Sequence, residues 1–71
     1  MKDETIKTKK KKIKELDNLI ELTNNDITYY TNSNMPETLK DELIKDSRER
    51  LSNYKAEKEI TQKEINDAIY A

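Results

Sequence analysis

The segment TNSNMPE, residues 31–37, is the point at which we expect this 71-residue chain to reverse direction. It joins polar, turn-forming residues to the only proline of the sequence, Pro36. Asn32 tolerates the left-handed conformation in which many helices end. Asn34 precedes Glu37 by three positions, the spacing of a capping box, and this places Pro36 in the first helical turn. The segment therefore predicts the end of one helix and the start of another.

Apolar residues on both sides of this segment follow a helical period. Before it they recur at the a and d spacing of a coiled-coil heptad, at Ile6, Ile13, Leu16, Ile20, Ile27 and Tyr30. After it the same spacing returns at Leu43, Ile44, Leu51, Tyr54, Ile65, Ala68 and Ile69. A half-buried strand would need strict alternation, which neither half shows. We predict an all-α chain with helix 1 over residues 3–31, a turn at 32–36 and helix 2 over residues 37–70.

Two long helices joined by a short turn usually pack side by side in opposite directions. We therefore expect a single domain over residues 1–71, folded as a two-helix antiparallel hairpin of the coiled-coil type. The alternative is one continuous helix that is kinked at Pro36 and dimerises as an extended rod. Fourteen Ile and Leu residues are too few for a deep core in a chain of this length. We expect hairpins to form a homodimer or higher oligomer, as in a four-helix bundle, or to dock on a larger partner.

Composition excludes several classes of function. The chain has no Cys, His, Gly or Trp, and 41% of its residues are charged. It therefore has no thiolate or imidazole for catalysis or zinc binding, and no glycine-rich phosphate loop. No apolar run is longer than four residues, the length of the run at 68–71, so we expect neither a membrane span nor a secretory signal. We predict a cytoplasmic protein without a cofactor, a metal site or an enzymatic activity.

Some apolar residues lie off the predicted seam and indicate a binding surface. At about 100° per residue, Leu22 and Tyr29 project away from the isoleucine row of helix 1, and Leu19 lies on its flank. At the end of helix 2, an apolar stripe continues past the residues that helix 1 would cover. The predicted protein interface consists of Leu19, Leu22, Tyr29, Tyr30, Leu39, Ile65, Ala68, Ile69 and Tyr70. It suits the core of a homodimer and equally a docking site for a different protein.

Positive charge is concentrated at the start of the chain. Residues 1–14 carry seven Lys against two acidic residues, a net charge of +5, whereas residues 15–71 carry a net charge of −6. A register centred on the turn places Lys9 opposite Lys58, where two like charges repel. The candidate contacts for an anion or a nucleic acid are Lys7, Lys9, Lys10, Lys11, Lys12, Lys14 and Lys58. The alternative is neutralisation of this basic band by Glu57, Glu59 and Glu64 of helix 2.

We interpret the chain as a small protein-interaction module that binds and modulates a larger protein, as an inhibitor or an adaptor. The abundance of Lys, Asn, Ile and Tyr is typical of AT-rich genomes and suggests a low-GC bacterium, or one of its phages or plasmids. Two alternatives remain open. One is a nucleic-acid-binding hairpin that uses Lys7 to Lys14. The other is a self-assembling scaffold or structural element of a virion.

Overall fold

The structure, a computed structural model, describes residues 2–70 and confirms the helical hairpin. Helix α1 spans Lys2–Thr31 and helix α2 spans Glu37–Tyr70, and the two pack against each other. The molecule measures 52 × 14 × 13 Å. Its long dimension is that of α2 alone, since 34 helical residues rise about 51 Å at 1.5 Å per residue. The chain is therefore folded back on itself and is not a continuous rod.

The seam between the helices is one row of side chains on each helix. In α1 the buried and half-buried side chains are Ile6, Lys9, Ile13, Leu16, Ile20, Thr23, Ile27 and Tyr30. In α2 they are Lys40, Leu43, Ile44, Ser47, Leu51, Tyr54, Lys58, Thr61, Ile65 and Ala68. Apart from Leu43, these residues alternate at spacings of three and four, which is the predicted heptad. The heptad positions a to g of each helix are counted with Ile20 of α1 and Leu51 of α2 at position a.

Three of the five buried side chains of this seam are small and polar, and the other two are Leu16 and Ile65. Ser47 exposes 0% of its surface, Thr61 1% and Thr23 5%. The Thr23 Oγ1 donates to the Leu19 carbonyl oxygen at 2.6 Å, and the Thr61 Oγ1 donates to the Glu57 carbonyl oxygen at 2.8 Å. Because these hydroxyls bond within their own helix, their burial leaves no hydrogen-bonding group unsatisfied. These polar side chains can therefore be buried without loss of hydrogen bonds. The seam nevertheless buries less apolar surface than an all-leucine seam would.

The end of α1 differs from the prediction. No residue of the described part of the chain has a positive φ, so the left-handed conformation predicted for Asn32 is wrong. Instead the last turn tightens. The Asn32 N–H donates to the Thr28 carbonyl oxygen at 3.1 Å, and the Ser33 N–H donates to the Tyr30 carbonyl oxygen at 3.2 Å. The second bond is of the 3₁₀ type, and it satisfies a terminal carbonyl without a left-handed residue.

The start of α2 also differs from the prediction. The Lys40 N–H donates to the Pro36 carbonyl oxygen at 3.0 Å, which makes Pro36 the N-cap and Glu37 the first helical residue. The predicted capping box is therefore wrong, because Asn34 lies two residues before that N-cap. The Lys40 side chain also donates to the Ser33 carbonyl oxygen at 3.3 Å. This bond ties the first turn of α2 to the loop.

The register of the helices is shifted from the one that the turn alone predicts. Lys9 does not face Lys58, and that prediction is wrong. Lys9 pairs with Glu64, six positions further along α2, and Lys58 pairs with Asp17. The shifted register gives each lysine an acidic partner and avoids the repulsion of two ammonium groups across the seam.

Two leucine truncations on α1 test the seam. Leu16 is 4% exposed and Leu22 is 59% exposed. Leu16→Ala should lower the free energy of unfolding by about 2 kcal/mol or more, because it leaves a cavity in the seam. Leu22→Ala should change it by less than about 0.5 kcal/mol. Urea titrations followed by circular dichroism measure both values, and equal losses would show that Leu22 is covered.

Candidate functional site

Four large apolar side chains at the turn end of the hairpin remain exposed, although the seam is complete. Leu19 is 39% exposed, Leu22 59%, Tyr29 68% and Leu39 47%. We call these four residues the apolar face. All four belong to the predicted protein interface.

The heptad places the apolar face on one side of the hairpin. Leu19 occupies position g of α1, Leu22 and Tyr29 occupy position c, and Leu39 occupies position c of α2. Positions g and c adjoin on a helix surface. The g positions of the two helices also adjoin each other, as the ion pair between Lys12 and Glu57 shows, since both are g residues.

Tyr30 connects the apolar face to the seam. It is half-buried at position d, next to the exposed Tyr29. The two rings meet edge to face, with centroids 5.8 Å apart and planes inclined by 69°. Edge-to-face contact is a favoured arrangement of aromatic rings. Tyr30 thus supports the orientation of Tyr29 at the surface.

Only part of the predicted interface at the end of α2 is exposed to solvent. Ile65 is 2% exposed and Ala68 is half-buried, so the prediction that these two residues lack a partner within the chain is wrong. The shifted register explains the difference, because it brings the start of α1 beside Glu64. Ile69 and Tyr70 remain exposed, but they lie at positions e and f, away from the apolar face.

Acidic residues form a rim around the apolar face. Asp26 lies at position g of α1, while Glu15 and Asp46 lie at position c of their helices, and all three are exposed. None of the three forms an ion pair within residues 3–70. Arg50, at position g of α2, is the basic residue nearest to them by heptad position, and it donates to the Ser47 hydroxyl at 3.1 Å. The heptad positions of these residues are enough to indicate the rim, but it was not among the predictions made from the sequence.

Ion pairs neutralise part of the basic band. Lys9 Nζ lies 2.8 Å from Glu64 Oε2, and Lys12 Nζ lies 2.8 Å from Glu57 Oε1. These two glutamates were predicted as partners of the band. Lys58 Nζ lies 2.5 Å from Asp17 Oδ1. Asp17 was not predicted as a partner, because its role depends on the register.

The pairs shift the pKa of two exposed groups. The hydrogen bond from Lys9, and then its charge, lower the pKa of Glu64. The hydrogen bond to Glu57, and then the charge of Glu57, raise the pKa of Lys12. The Glu64 contribution to stability is therefore present above the ordinary glutamate pKa and is lost as the pH falls through the lowered value. The Lys12 contribution is present below the ordinary lysine pKa and is lost as the pH rises through the raised value.

The other four lysines of the band have no ion-pair partner among residues 3–70. Lys7, Lys10, Lys11 and Lys14 follow the i, i+3, i+4, i+7 spacing of one helix side. We call them the lysine stripe. Together they line a shallow depression of about 560 Å³.

The acidic side chains of the described residues do not converge on a metal centre. All fifteen Asp and Glu carboxylates are exposed. Within residues 3–70, no three acidic side chains come together as a group that would hold a metal ion. In the same part of the chain, neither helix contains an apolar stretch long enough to cross a membrane.

Comparison with known proteins adds no family assignment. No protein-family model matches the chain, and no curated protein or solved structure shows significant similarity to it. The geometry of the two surfaces is therefore the basis for a functional proposal.

Titration of the Glu64 carboxyl tests its pairing with Lys9. This pair lies at the open end of the hairpin, the end opposite the turn. Lys9→Gln should raise the pKa of Glu64 towards its ordinary value, because the hydrogen bond and the charge are both removed. Lys10→Gln is the matched control, since Lys10 has the same charge but forms none of the ion pairs. Side-chain carboxyl NMR measures the pKa in each variant. Equal pKa values in the two variants would contradict the pairing.

Proposed function

We propose that this chain is a small, non-enzymatic interaction module that binds a larger protein through the apolar face and thereby modulates it. One observation carries the proposal. Leu19, Leu22, Tyr29 and Leu39 stay exposed on the same side of a hairpin whose own seam is already filled. Isolated exposed apolar residues are ordinary, but several of them on one side of a small molecule often mark an interaction site.

The apolar face has the composition of an interface core. Leucine and tyrosine side chains supply apolar area, and tyrosine and tryptophan are enriched among residues that dominate binding energies. Tyr29 is suited to such a role because the ring of Tyr30 already supports it. Less side-chain entropy is lost on binding when a residue is held in place beforehand.

The acidic rim indicates the chemistry of the partner. Glu15, Asp26 and Asp46 surround the apolar face, and Arg50 is the one basic residue that we place among them. A partner surface with apolar side chains flanked by Lys or Arg would complement this arrangement. Charge complementarity of this kind mainly increases the association rate and the selectivity of binding.

A second copy of the chain is the competing occupant. Dimerisation through the same face would give the four-helix bundle expected from the small apolar content. Two copies would, however, bring their acidic rims together, and like charges across an interface oppose binding. The rim therefore favours a basic partner over a second copy.

The non-enzymatic part of the proposal is supported by the carboxylates. General acid or base catalysis by Asp or Glu depends on a pKa tuned by burial or by neighbouring charges. Every carboxylate of the described residues is exposed, and the hydrogen bond and charge of Lys9 lower the pKa of Glu64, which disfavours an acid role near neutral pH.

The double variant Leu22→Glu, Tyr29→Glu tests the apolar face. It should weaken binding of the larger protein by about 100-fold or more, since loss of two central apolar residues commonly costs about 2 kcal/mol each. The partner is first captured from cells that produce the chain and identified by mass spectrometry. Calorimetric titration of the purified partner then measures the affinity of each variant.

Asn18→Glu, Asn25→Glu is the matched control. It adds the same two charges to exposed positions f of α1, outside the apolar face. Both variants should keep the helicity of the parent chain, and the control should keep its affinity. Equal loss of affinity in both variants would contradict the proposal. The alternative outcome is that the isolated chain sediments as a dimer, which the double variant Leu22→Glu, Tyr29→Glu dissociates into monomers. That result would show that a second copy of the chain occupies the apolar face.

A further inference from the structure

We infer that the lysine stripe is a second binding site, which takes the phosphate backbone of a nucleic acid without reading its sequence. The site consists of Lys7, Lys10, Lys11 and Lys14. It is separate from the apolar face and does not depend on the function proposed for that face.

Heptad positions explain why these four lysines stay unpaired. On the g side of α2, Glu57 and Glu64 pair with Lys12 and Lys9. The stripe lies on the other side of the seam, at positions b, e and f of α1. There the e positions of α2 at the open end are Lys55, Gln62 and Ile69, which offer no carboxylate. Positive charge therefore accumulates on this side because α2 does not neutralise it.

Of the acidic residues on the stripe's side of α1, Asp17 is already engaged, whereas Asp3 and Glu4 lie one turn before Lys7. Asp17 lines the same depression as the four lysines, one turn after Lys14. Its carboxylate is paired with Lys58 of α2 at 2.5 Å. Because Lys58 neutralises Asp17, the charge of the four lysines exceeds that of the two acidic residues, Asp3 and Glu4, that remain beside them.

The geometry of the stripe suits a row of phosphates. Its four side chains project within an arc of about 100° and extend over roughly 10 Å of helix, at 1.5 Å per residue. Four ammonium groups so close together repel each other unless anions lie between them. Each ammonium is a compact charge with three donors, which binds phosphate oxygens without fixed directionality.

The surroundings of the stripe favour a nucleic acid over a protein or a membrane. No large apolar side chain of residues 3–18 is exposed, so this part of α1 offers neither an interface core nor a group for insertion into lipid. Ile69, at position e of α2, is the one large apolar side chain exposed on the same side of the described hairpin near the stripe, and a single exposed isoleucine does not form an interface core. The stripe has no Arg for bidentate base contacts and no aromatic ring for base stacking. Its contacts are therefore electrostatic and independent of sequence.

The apolar face and the stripe lie on different sides of the hairpin. On α1 the stripe is rotated by about 120° from positions g and c, and it lies at the open end, whereas the apolar face lies at the turn end. Occupation of one surface therefore leaves the other accessible.

Fluorescence anisotropy with a labelled single-stranded DNA and its duplex tests the inference. Four phosphate contacts predict a slope near −3 for log Kobs against log salt, or about a 60-fold loss of affinity between about 50 and 200 mM salt. The quadruple variant Lys7→Gln, Lys10→Gln, Lys11→Gln, Lys14→Gln should lose binding and this salt dependence. Circular dichroism should show unchanged helicity, since the substitutions are exposed and relieve repulsion.

The matched control is Lys45→Gln, Arg48→Gln, Arg50→Gln, Lys63→Gln. It removes four exposed positive charges from α2 and changes the net charge by the same amount. The control should keep most of the affinity. Equal loss in both variants would overturn the inference, because net charge would then explain binding. Absence of binding to either DNA at low salt, or stripe-dependent binding only to vesicles that contain phosphatidylserine, would overturn it as well.

Discussion

A two-helix hairpin has a single seam, and this constraint governs the rest of the structure. Each helix buries mainly its a and d positions against the other, so an apolar side chain at positions c or f stays exposed unless a further chain covers it. Helix α1 buries its isoleucine row and leaves Leu22 and Tyr29 in water. The exposed apolar face is thus a direct consequence of the fold and not a defect in packing.

Sequence reasoning predicts the helices, their ends to within a residue, and most of the seam, because periodicity and a single proline are local signals. It does not predict the register. Register depends on contacts between side chains that are far apart in sequence. Counting residues from the turn predicted that Lys9 faces Lys58, whereas in the structure each of these lysines has an acidic partner. The error carried over to Ile65, which the shifted register covers.

The same distinction applies to the candidate surfaces. The exposure of Leu19, Leu22, Tyr29 and Leu39 follows from helical geometry, and the sequence predicts it. Which lysines of the basic band remain unpaired depends on whether α2 places carboxylates beside them. Beside the band, α2 has Glu57 and Glu64 at its g positions and Lys55, Gln62 and Ile69 at its e positions, which divides the band into a neutralised part and an unpaired stripe. That division becomes visible only when both heptads and the ion pairs are considered together.

The distance between Asn18 and Ala56 tests most directly whether the chain folds back into one seam. Both residues are exposed at position f, and the chain has no Cys, so spin labels can be attached to two introduced cysteines. Dilution with unlabelled chain restricts pulsed electron resonance to distances within one molecule. We predict roughly 20 to 30 Å, since packed helix axes lie about 8 to 10 Å apart and the labels point outwards. A distance near 57 Å, which about 38 residues of continuous helix would span, would contradict the hairpin and everything inferred from its single seam.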